Sequence, residues 1–305
     1  MVGNAGEKMM TSHAGGAHAL LSAPLPENVL GLAWLGQAGF ALRFGGRLLL
    51  IDPYLSDHLA RKYAGKEFPH IRRMPPPLDF NSLRGVDCVL CSHRHSDHMD
   101  PGALPVIAKN NPSCRFVVPR AELEHARTLG ISDVQLVPMN ASETVELFSE
   151  VSVEAIPSAH ETLKSNERSE HHFLGFIIQL PSAAESKIQN LESKIYHCGD
   201  CVVYPGLAER LRSAHIDIAL LPVNGRSEFL SSRGIAGNMN FAEARQLCLD
   251  AQIPILIPHH FGMFDFNTVD PAELARGLSA LDSSILQCML PTADEYYELS
   301  LGSGV

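Results

Sequence analysis

The sequence predicts an α/β protein built as a four-layer αββα sandwich: two β-sheets packed face to face, with helices on both outer faces. Three observations lead there. Short apolar runs of strand length recur along the whole chain. In each half strands come first and mixed strands and helices follow, an order that suits two sheets with helices on their outer faces. A dense cluster of histidine and aspartate follows directly on one of the apolar runs, as a site at a strand end does.

Taken in order, strands are predicted at residues 32–35, 40–44, 48–51, 86–91, 116–118, 151–156, 173–180, 194–197, 216–222 and 253–257. Some alternate apolar with polar residues and others are apolar throughout, which marks half-buried and fully buried strands. A helix is predicted over residues 120–129, with Glu122 and Glu124 early and Gly130 as its stop. Asn240 and Glu243 form a capping-box pattern opening a helix to about Leu249. Asp270 offers an N-cap, with Pro271 in the first turn and Glu273 at the third position. The stretch 55–81, rich in proline and basic residues, reads as a surface loop. Residues 1–28 read as a flexible tail, with a short docked segment as the alternative, ahead of a single domain over 29–305.

At 305 residues, 45% of them hydrophobic, the chain can bury a large core. Its net charge of −10 speaks against a nucleic-acid partner, which asks for a basic face. No apolar run approaches the roughly 20 residues that span a bilayer, and the N-terminus lacks the layout of a secretory signal. Seven cysteines, an odd number, fit reduced thiols in a cytoplasm. The spacings Cys88–Cys91 and Cys198–Cys201 invite a zinc-knuckle or redox reading. Positions three apart on a strand face opposite sides, so Cys88 and Cys91 read as core residues. Cys198 and Cys201 flank Gly199-Asp200, which has another use.

The chemistry concentrates in Ser92-His93-Arg94-His95-Ser96-Asp97-His98, directly after a buried strand. Imidazole and carboxylate together suit zinc, manganese or iron. The bland alternative is a polar turn with incidental histidines. Against it, a catalytic metal takes about three protein ligands and an open position, and this stretch alone offers His93, His95, Asp97 and His98.

The spacing His93, His95, Asp97, His98 after a strand resembles the signature of the metallo-β-lactamase superfamily. The superfamily's other positions match in order: Asp52 ending an early strand, His160 after a further strand, Asp200 in a glycine turn and His260 after a late strand. Within the superfamily the chain looks most like the ascorbate-6-phosphate lactonase group. That likeness rests on Trp34-Leu35-Gly36-Gln37-Ala38-Gly39, Tyr196-His197-Cys198-Gly199-Asp200, Asn238-Met239-Asn240 and Ile257-Pro258-His259-His260. The Trp34-Leu35-Gly36 start is also similar to the N-acyl-phosphatidylethanolamine phospholipase D group.

The resemblance implies a metal-dependent hydrolase with two divalent ions, zinc or manganese. His93, His95 and His160 would bind the first ion; Asp97, His98 and His260 the second; Asp200 would bridge them. A hydroxide between ions roughly 3.5–4 Å apart would be the nucleophile, with Asp97 and Asp200 the carboxylates nearest the chemistry. Asp52 would orient a ligand histidine. The family pattern of proline, any residue, then ligand selects His260 and turns His259 away.

The implied substrate is a small anion: a lactone, a sugar-phosphate lactone or a phosphoester. Asn224 and Arg226, leaving a strand toward the metal-facing edge, are candidate substrate contacts, since arginine suits bidentate phosphate capture. Arg61, Lys62, Lys66, Arg72 and Arg73 read as a solvated face of the 55–81 loop. His13 and His18 in the tail, His58 and His70 in the irregular loop, His125 on an exposed helix and His215 beside a strand start are not counted as ligands; His171, His172 and His197, near motif segments, read as structural, with a substrate role as the alternative. A nuclease of the superfamily would need a large insertion between Asp200 and His260, an interval that already holds a strand and a helix. A metal-binding sensor without activity is a further alternative, against which the complete ligand set speaks. The sequence leaves room for a homo-oligomer.

Overall fold

The computed structural model describes residues 10–26, 29–148, 151–181 and 193–300. In chain order the strands are β1 (Met10–Ala14), β2 (Val29–Gly36), β3 (Gly39–Phe44), β4 (Arg47–Ile51), β5 (Cys88–Leu90), β6 (Arg115–Pro119), β7 (Leu136–Met139), β8 (Thr144–Phe148), β9 (Val151–Pro157), β10 (Ala159–His160), β11 (Thr162–Leu163), β12 (Leu174–Leu180), β13 (Ser193–His197), β14 (Ile218–Pro222), β15 (Ile255–His259), β16 (Gln287–Cys288) and β17 (Glu295–Ser300). The helices are α1 (Gly16–Ser22), α2 (His58–Lys62), α3 (Leu104–Asn110), α4 (Leu123–Thr128), α5 (Leu207–Ala214), α6 (Glu228–Ser231), α7 (Phe241–Ala251) and α8 (Pro271–Ser279).

One sheet runs β1-β17-β2-β3-β4-β5-β6-β7 and the other β16-β15-β14-β13-β12-β9-β8. Each begins with antiparallel pairs and ends with parallel ones: β4 to β7 in the first, β13 to β16 in the second. The parallel parts matter for function, because all their C-terminal ends lie on one edge. There a polar side chain can leave the sheet without interrupting the hydrogen-bonded ladder.

Side-chain alternation sorts the core into three layers. Leu32, Trp34, Phe40, Leu42, Leu49 and Ile51 meet Phe176, Ile178, Ile195, Leu220 and Ile257 between the sheets. Ala33, Leu35, Ala41, Leu50 and Val89 face outward onto a layer with Leu20, Leu104, Ile107 and Ala126. Tyr196, Ala219, Leu221 and Leu256 pack outward with Leu207, Leu211, Ala244, Leu247 and Leu274. Helices thus cover both outer faces, the αββα arrangement the sequence predicts. Cys88 lies in the layer between the sheets and Cys91 in the outer layer, so that pair faces opposite ways.

The capping box of α7 forms as read: Asn240 Oδ1 accepts from Glu243 N at 2.9 Å and Glu243 Oε2 from Asn240 N at 3.0 Å. Asp270 caps α8 through Ala272 N. The helix expected over 120–129 begins as a 3₁₀ turn at Arg120–Glu122 before α4.

Residues 10–26 correct the reading of a flexible tail. β1 pairs with β17 along its whole length, Met10 opposite Leu299 and Ala14 opposite Glu295. Gly15 N and Gly16 N both donate to the Asp294 carbonyl, at 2.8 and 2.9 Å. α1 then lies flat on β2: a Cβ at Gly31 would stand 2.4 Å from Leu20 Cδ1, and Leu20 is fully buried. The segment looks loose in sequence because its strand partner lies nearly the whole chain away and its helix buries only Gly16, Ala17 and Leu20. Residues 1–9, 27 and 28 lie outside the described residues. Leu20→Ala is expected to cost about 3 kcal/mol in urea unfolding, as core truncations do. A cost below about 0.5 kcal/mol, the scale of an ordinary surface change, would mean the docking contributes nothing.

Candidate metal centre

Five strand ends on one edge supply the cluster. Asp52 follows β4, the loop 92–98 follows β5, His160 ends β10 just past β9, Asp200 follows β13, and His260 follows β15. Two groups of donor atoms result: His93, His95, His160 and Asp200, and Asp97, His98 and His260, the atoms of each lying within 4.8 Å of one another. The structure therefore brings together every residue the sequence placed in the two ligand sets.

Asp52 sits beneath this cluster, fully buried, with a positive φ of 42° that turns the chain off β4. Its Oδ1 accepts from Ser92 N at 2.7 Å and its Oδ2 from Ser92 Oγ at 2.6 Å. Oδ2 also accepts from His98 Nδ1 at 2.7 Å. A carboxylate can only accept, so Nδ1 of His98 carries the hydrogen and Nε2 is turned toward the site. Ser92 spends its proton on Asp52, which leaves its oxygen to accept from His93 Nδ1 at 3.0 Å. One aspartate thus orients two histidines, one directly and one through Ser92, a serine that sequence reading passed over.

On the open side the charged atoms crowd. His98 Nε2 and His260 Nε2 lie 3.3 and 3.2 Å from Asp200 Oδ1, and His160 Nε2 lies 3.8 Å from Asp200 Oδ2. His98 Nε2 and Asp200 Oδ1 are nevertheless buried without a hydrogen-bond partner among the described residues. Burial works against charge on Asp200, yet His260 and His98 hold its carboxyl well below the usual carboxylate range. Burial opposes charge on His98 too, but Asp200, Asp52 and Asp97 override it and hold the imidazole well above its usual range. Burial pushes His160 down to about 4 and His93 well below its ordinary value. A divalent cation fits this donor set: it would meet the unpartnered nitrogen and oxygen, and it would displace the proton that three carboxylates hold on His98.

Several neighbours make the geometry. Gly199 has φ +61°, and a Cβ there would stand 2.6 Å from Ser92 Cβ, so only glycine lets the Asp200 turn press against the 92–98 loop. Ser158 Oγ lies 2.8 Å from the Cys198 carbonyl and 2.9 Å from that of Asp200, tying the His160 ribbon to the same turn. Phe173 packs its ring on His93, His95 and His160, with centroids 5.1, 5.9 and 5.2 Å away. Gln37, in the β2–β3 turn, donates from Nε2 to Asp97 Oδ2 at 2.9 Å and stands 3.1 Å from His260 Nε2. Its backbone carbonyl accepts from His260 N at 2.8 Å and from Trp34 Nε1 at 3.0 Å. Asp100, two residues past the motif, is buried and accepts from Leu55 N, Ser56 N, Ser56 Oγ and Gly102 N. It pins the start of the 55–81 loop to the motif; an acid this close to the ligands was its one sequence signal.

His259 points away from the cluster. It stacks on His197 at 5.1 Å and meets Phe40 edge-on at 5.8 Å, and neither of its ring nitrogens finds a partner.

A cavity of about 610 Å³ opens over the cluster, lined by His95, Asp97, His160, Asp200 and His260. The same lining carries Lys62, Lys66, Arg94 and Arg233. Lys62 and Lys66 of the 55–81 loop stand exposed, as the sequence reading has it, and line this cavity as well. Arg72 instead lies over the Tyr54 ring at 4.5 Å, and Arg73 pairs with Asp265. His70 and His125 also line the cavity; the sequence reading placed them in the irregular loop and on an exposed helix, with no part in the site. Arg226 and Asn224 do not reach it. Both line a separate cavity of about 500 Å³. Arg226 is held by both oxygens of Glu243 at 2.7 Å, and Asn224 by Asn267 and Asn238.

A four-layer αββα sandwich with this histidine–aspartate cluster at its strand ends is the metallo-β-lactamase fold. The chain belongs to the beta-lactamase superfamily domain family, whose sequence model matches residues 47–261. It is similar to a metal-dependent hydrolase of Pyrobaculum aerophilum, 26% identical over 260 residues that cover 85% of this chain and 96% of that protein. A metal-dependent hydrolase of Caldivirga maquilingensis is 26% identical over 242 residues, 79% of this chain and 86% of that one. Among solved structures, the isothiocyanate hydrolase from Delia radicum gut bacteria superposes with a TM-score of 0.67 at 18% identity, over 87% of this chain and 98% of that one. That likeness is one of fold. No helix among the described residues is long and apolar enough to cross a membrane.

Proposed function

We propose that this chain is a metal-dependent hydrolase of small anionic substrates, a lactone or a phosphoester, in the manner of the ascorbate-6-phosphate lactonase group. The observation that carries the reading is the buried cluster whose His98 Nε2 and Asp200 Oδ1 face one another unpartnered. His93, His95 and His160 would hold one divalent ion, zinc or manganese, and Asp97, His98 and His260 a second, with Asp200 between them. Such ions lower the pKa of a water and polarise the scissile oxygen. The chain's own residues supply the rest. Asp52 and Ser92 fix the tautomers of His98 and His93. Gln37 holds Asp97 in place. Lys62 and Lys66, which make no ion pair among the described residues, would offer an anionic substrate positive charge within the cavity that the cluster lines, together with Arg94 and Arg233. Seven free thiols, six of them buried, support a reducing cytoplasmic setting.

Elemental analysis of protein purified without chelator is expected to find two ions per chain, and a ceiling of one after reconstitution would remove the two-ion reading. The same protein, with zinc or manganese added, should turn over simple lactones, sugar-phosphate lactones or bis-p-nitrophenyl phosphate. Cleavage of structured RNA at about 1 per second or faster, an ordinary enzyme rate, with none of these small substrates accepted, would replace this reading with a nuclease.

A further inference from the structure

His70 is held more tightly than a loop residue needs to be. Its ring stacks on Tyr63 at 4.2 Å and 25° and meets the edges of Phe264 at 5.0 Å and Phe266 at 4.8 Å. Nδ1 stands 2.8 Å from the Phe68 carbonyl. A carbonyl oxygen accepts and cannot donate, so Nδ1 bears the hydrogen, and in the neutral ring Nε2 keeps its lone pair. Nε2 makes no hydrogen bond among the described residues, and the ring lines the same cavity as His95, Asp97, His160, Asp200 and His260.

Burial lowers the pKa of His70; the Phe68 carbonyl and Asp97 oppose that and Lys62 adds to it. With Asp97, Lys62 and the Tyr63 hydroxyl as the titratable groups about it, the net direction is downward, so the ring is neutral at pH 7. The four cations of the cavity wall, Lys62, Lys66, Arg94 and Arg233, can only donate. Glu67 of that wall is paired with Arg233, and Asn267 Oδ1 already accepts from Asn224. The free acceptor of His70 thus stands in a wall whose cations are all donors, and a donor on the ligand, such as a hydroxyl, complements it.

We propose that His70 is a specificity-determining residue whose Nε2 accepts a hydrogen bond from a substrate hydroxyl, so that the preferred substrates are hydroxylated anions. This rests on the reading of the cavity as the substrate site and names the substrate class more narrowly. A substrate without the hydroxyl leaves a half-buried acceptor unpaired, which is how polar sites discriminate between analogues.

The test compares glucono-1,5-lactone with δ-valerolactone, the same ring without hydroxyls, in wild type and His70→Phe, which keeps an aromatic ring for Tyr63, Phe264 and Phe266. In the variant kcat/KM for the hydroxylated lactone is expected to fall about tenfold, equivalent to about 1.4 kcal/mol, mainly through KM, while δ-valerolactone changes less than about twofold. Equal loss on both substrates, or no loss on either, overturns the proposal. Nitrogen-15 NMR of wild-type protein gives a readout that needs neither the variant nor turnover. The His70 ring is expected to carry its proton on Nδ1 at pH 7, and its Nε2 resonance to move with gluconate and stay fixed with pentanoate. A proton on Nε2, or no response to gluconate, overturns the proposal. If neither lactone is hydrolysed but gluconate moves Nε2, the acceptor assignment stands and the lactone reaction is the part that fails.

Discussion

Asp200→Ala is expected to lower turnover by a factor of ~10³ or more, about 4 kcal/mol of barrier, and to leave the fold intact. Among the described residues its carboxylate is the acid that lies within 4 Å of His98, His160 and His260 together, so no other described acid can take over its position between the two groups of donor atoms. Its removal should not unfold the protein. The Asp200 side chain takes part in none of the apolar layers, the turn's shape is set by Gly199, and Ser158 holds the turn through backbone carbonyls that alanine retains. Near-ultraviolet circular dichroism of the variant should overlay that of wild type. Wild-type turnover at saturating metal would show that Asp200 does not join the two sites.

His259 and His260 are neighbours with opposite expectations. His260→Ala is expected to bring metal content toward one ion per chain and to abolish measurable turnover, because it removes a donor from the Asp97–His98 group. His259→Ala should keep both ions. Its cost is one of packing, about 1–2 kcal/mol by the usual scale of core truncation, since the ring stacks on His197 and touches Phe40. Metal analysis and urea unfolding on both variants separate the two effects. The reverse pattern would falsify the register in which β15 ends at His259 with the chain then turning, at φ 63°, to send His260 into the cluster.

The site was more legible than the frame around it. Ligand residues must lie at strand ends in a fixed order, so the run from Asp52 through the 92–98 loop to His260 could be read as a string. The apolar strands were legible for a similar reason, since burial on both faces leaves continuous runs such as 218–222. What the string hides is the partner chosen at a distance. Arg226 looked free because Glu243 is 17 positions away, and only folding shows that the capping acid of α7 also clamps it. β1 was hidden because an edge strand with the pattern MTSHA carries little apolar signal until β17 lies beside it. Ser92, Gln37, Asp100 and Phe173 act through other residues, and no spacing rule marks such roles. The basic loop was legible in part: Lys62 and Lys66 are exposed, as charge suggests, but no local pattern marks the concave surface that sets them at the cavity as well.

Gln37 joins pieces that the two sheets contribute separately: it sits in a hairpin of the first sheet, reaches the 92–98 loop through Asp97, and takes the His260 amide from the second. The cluster is therefore a seam between the two halves of the sandwich, closed by hydrogen bonds on one side, and a bound ion would close the other. Were an ion to bind there, occupancy and cohesion would become one equilibrium: once free ion exceeds its dissociation constant, every further tenfold rise would add about 1.4 kcal/mol to the stability of the folded chain. A cell's ion supply would then govern how long the molecule survives as well as how fast it works.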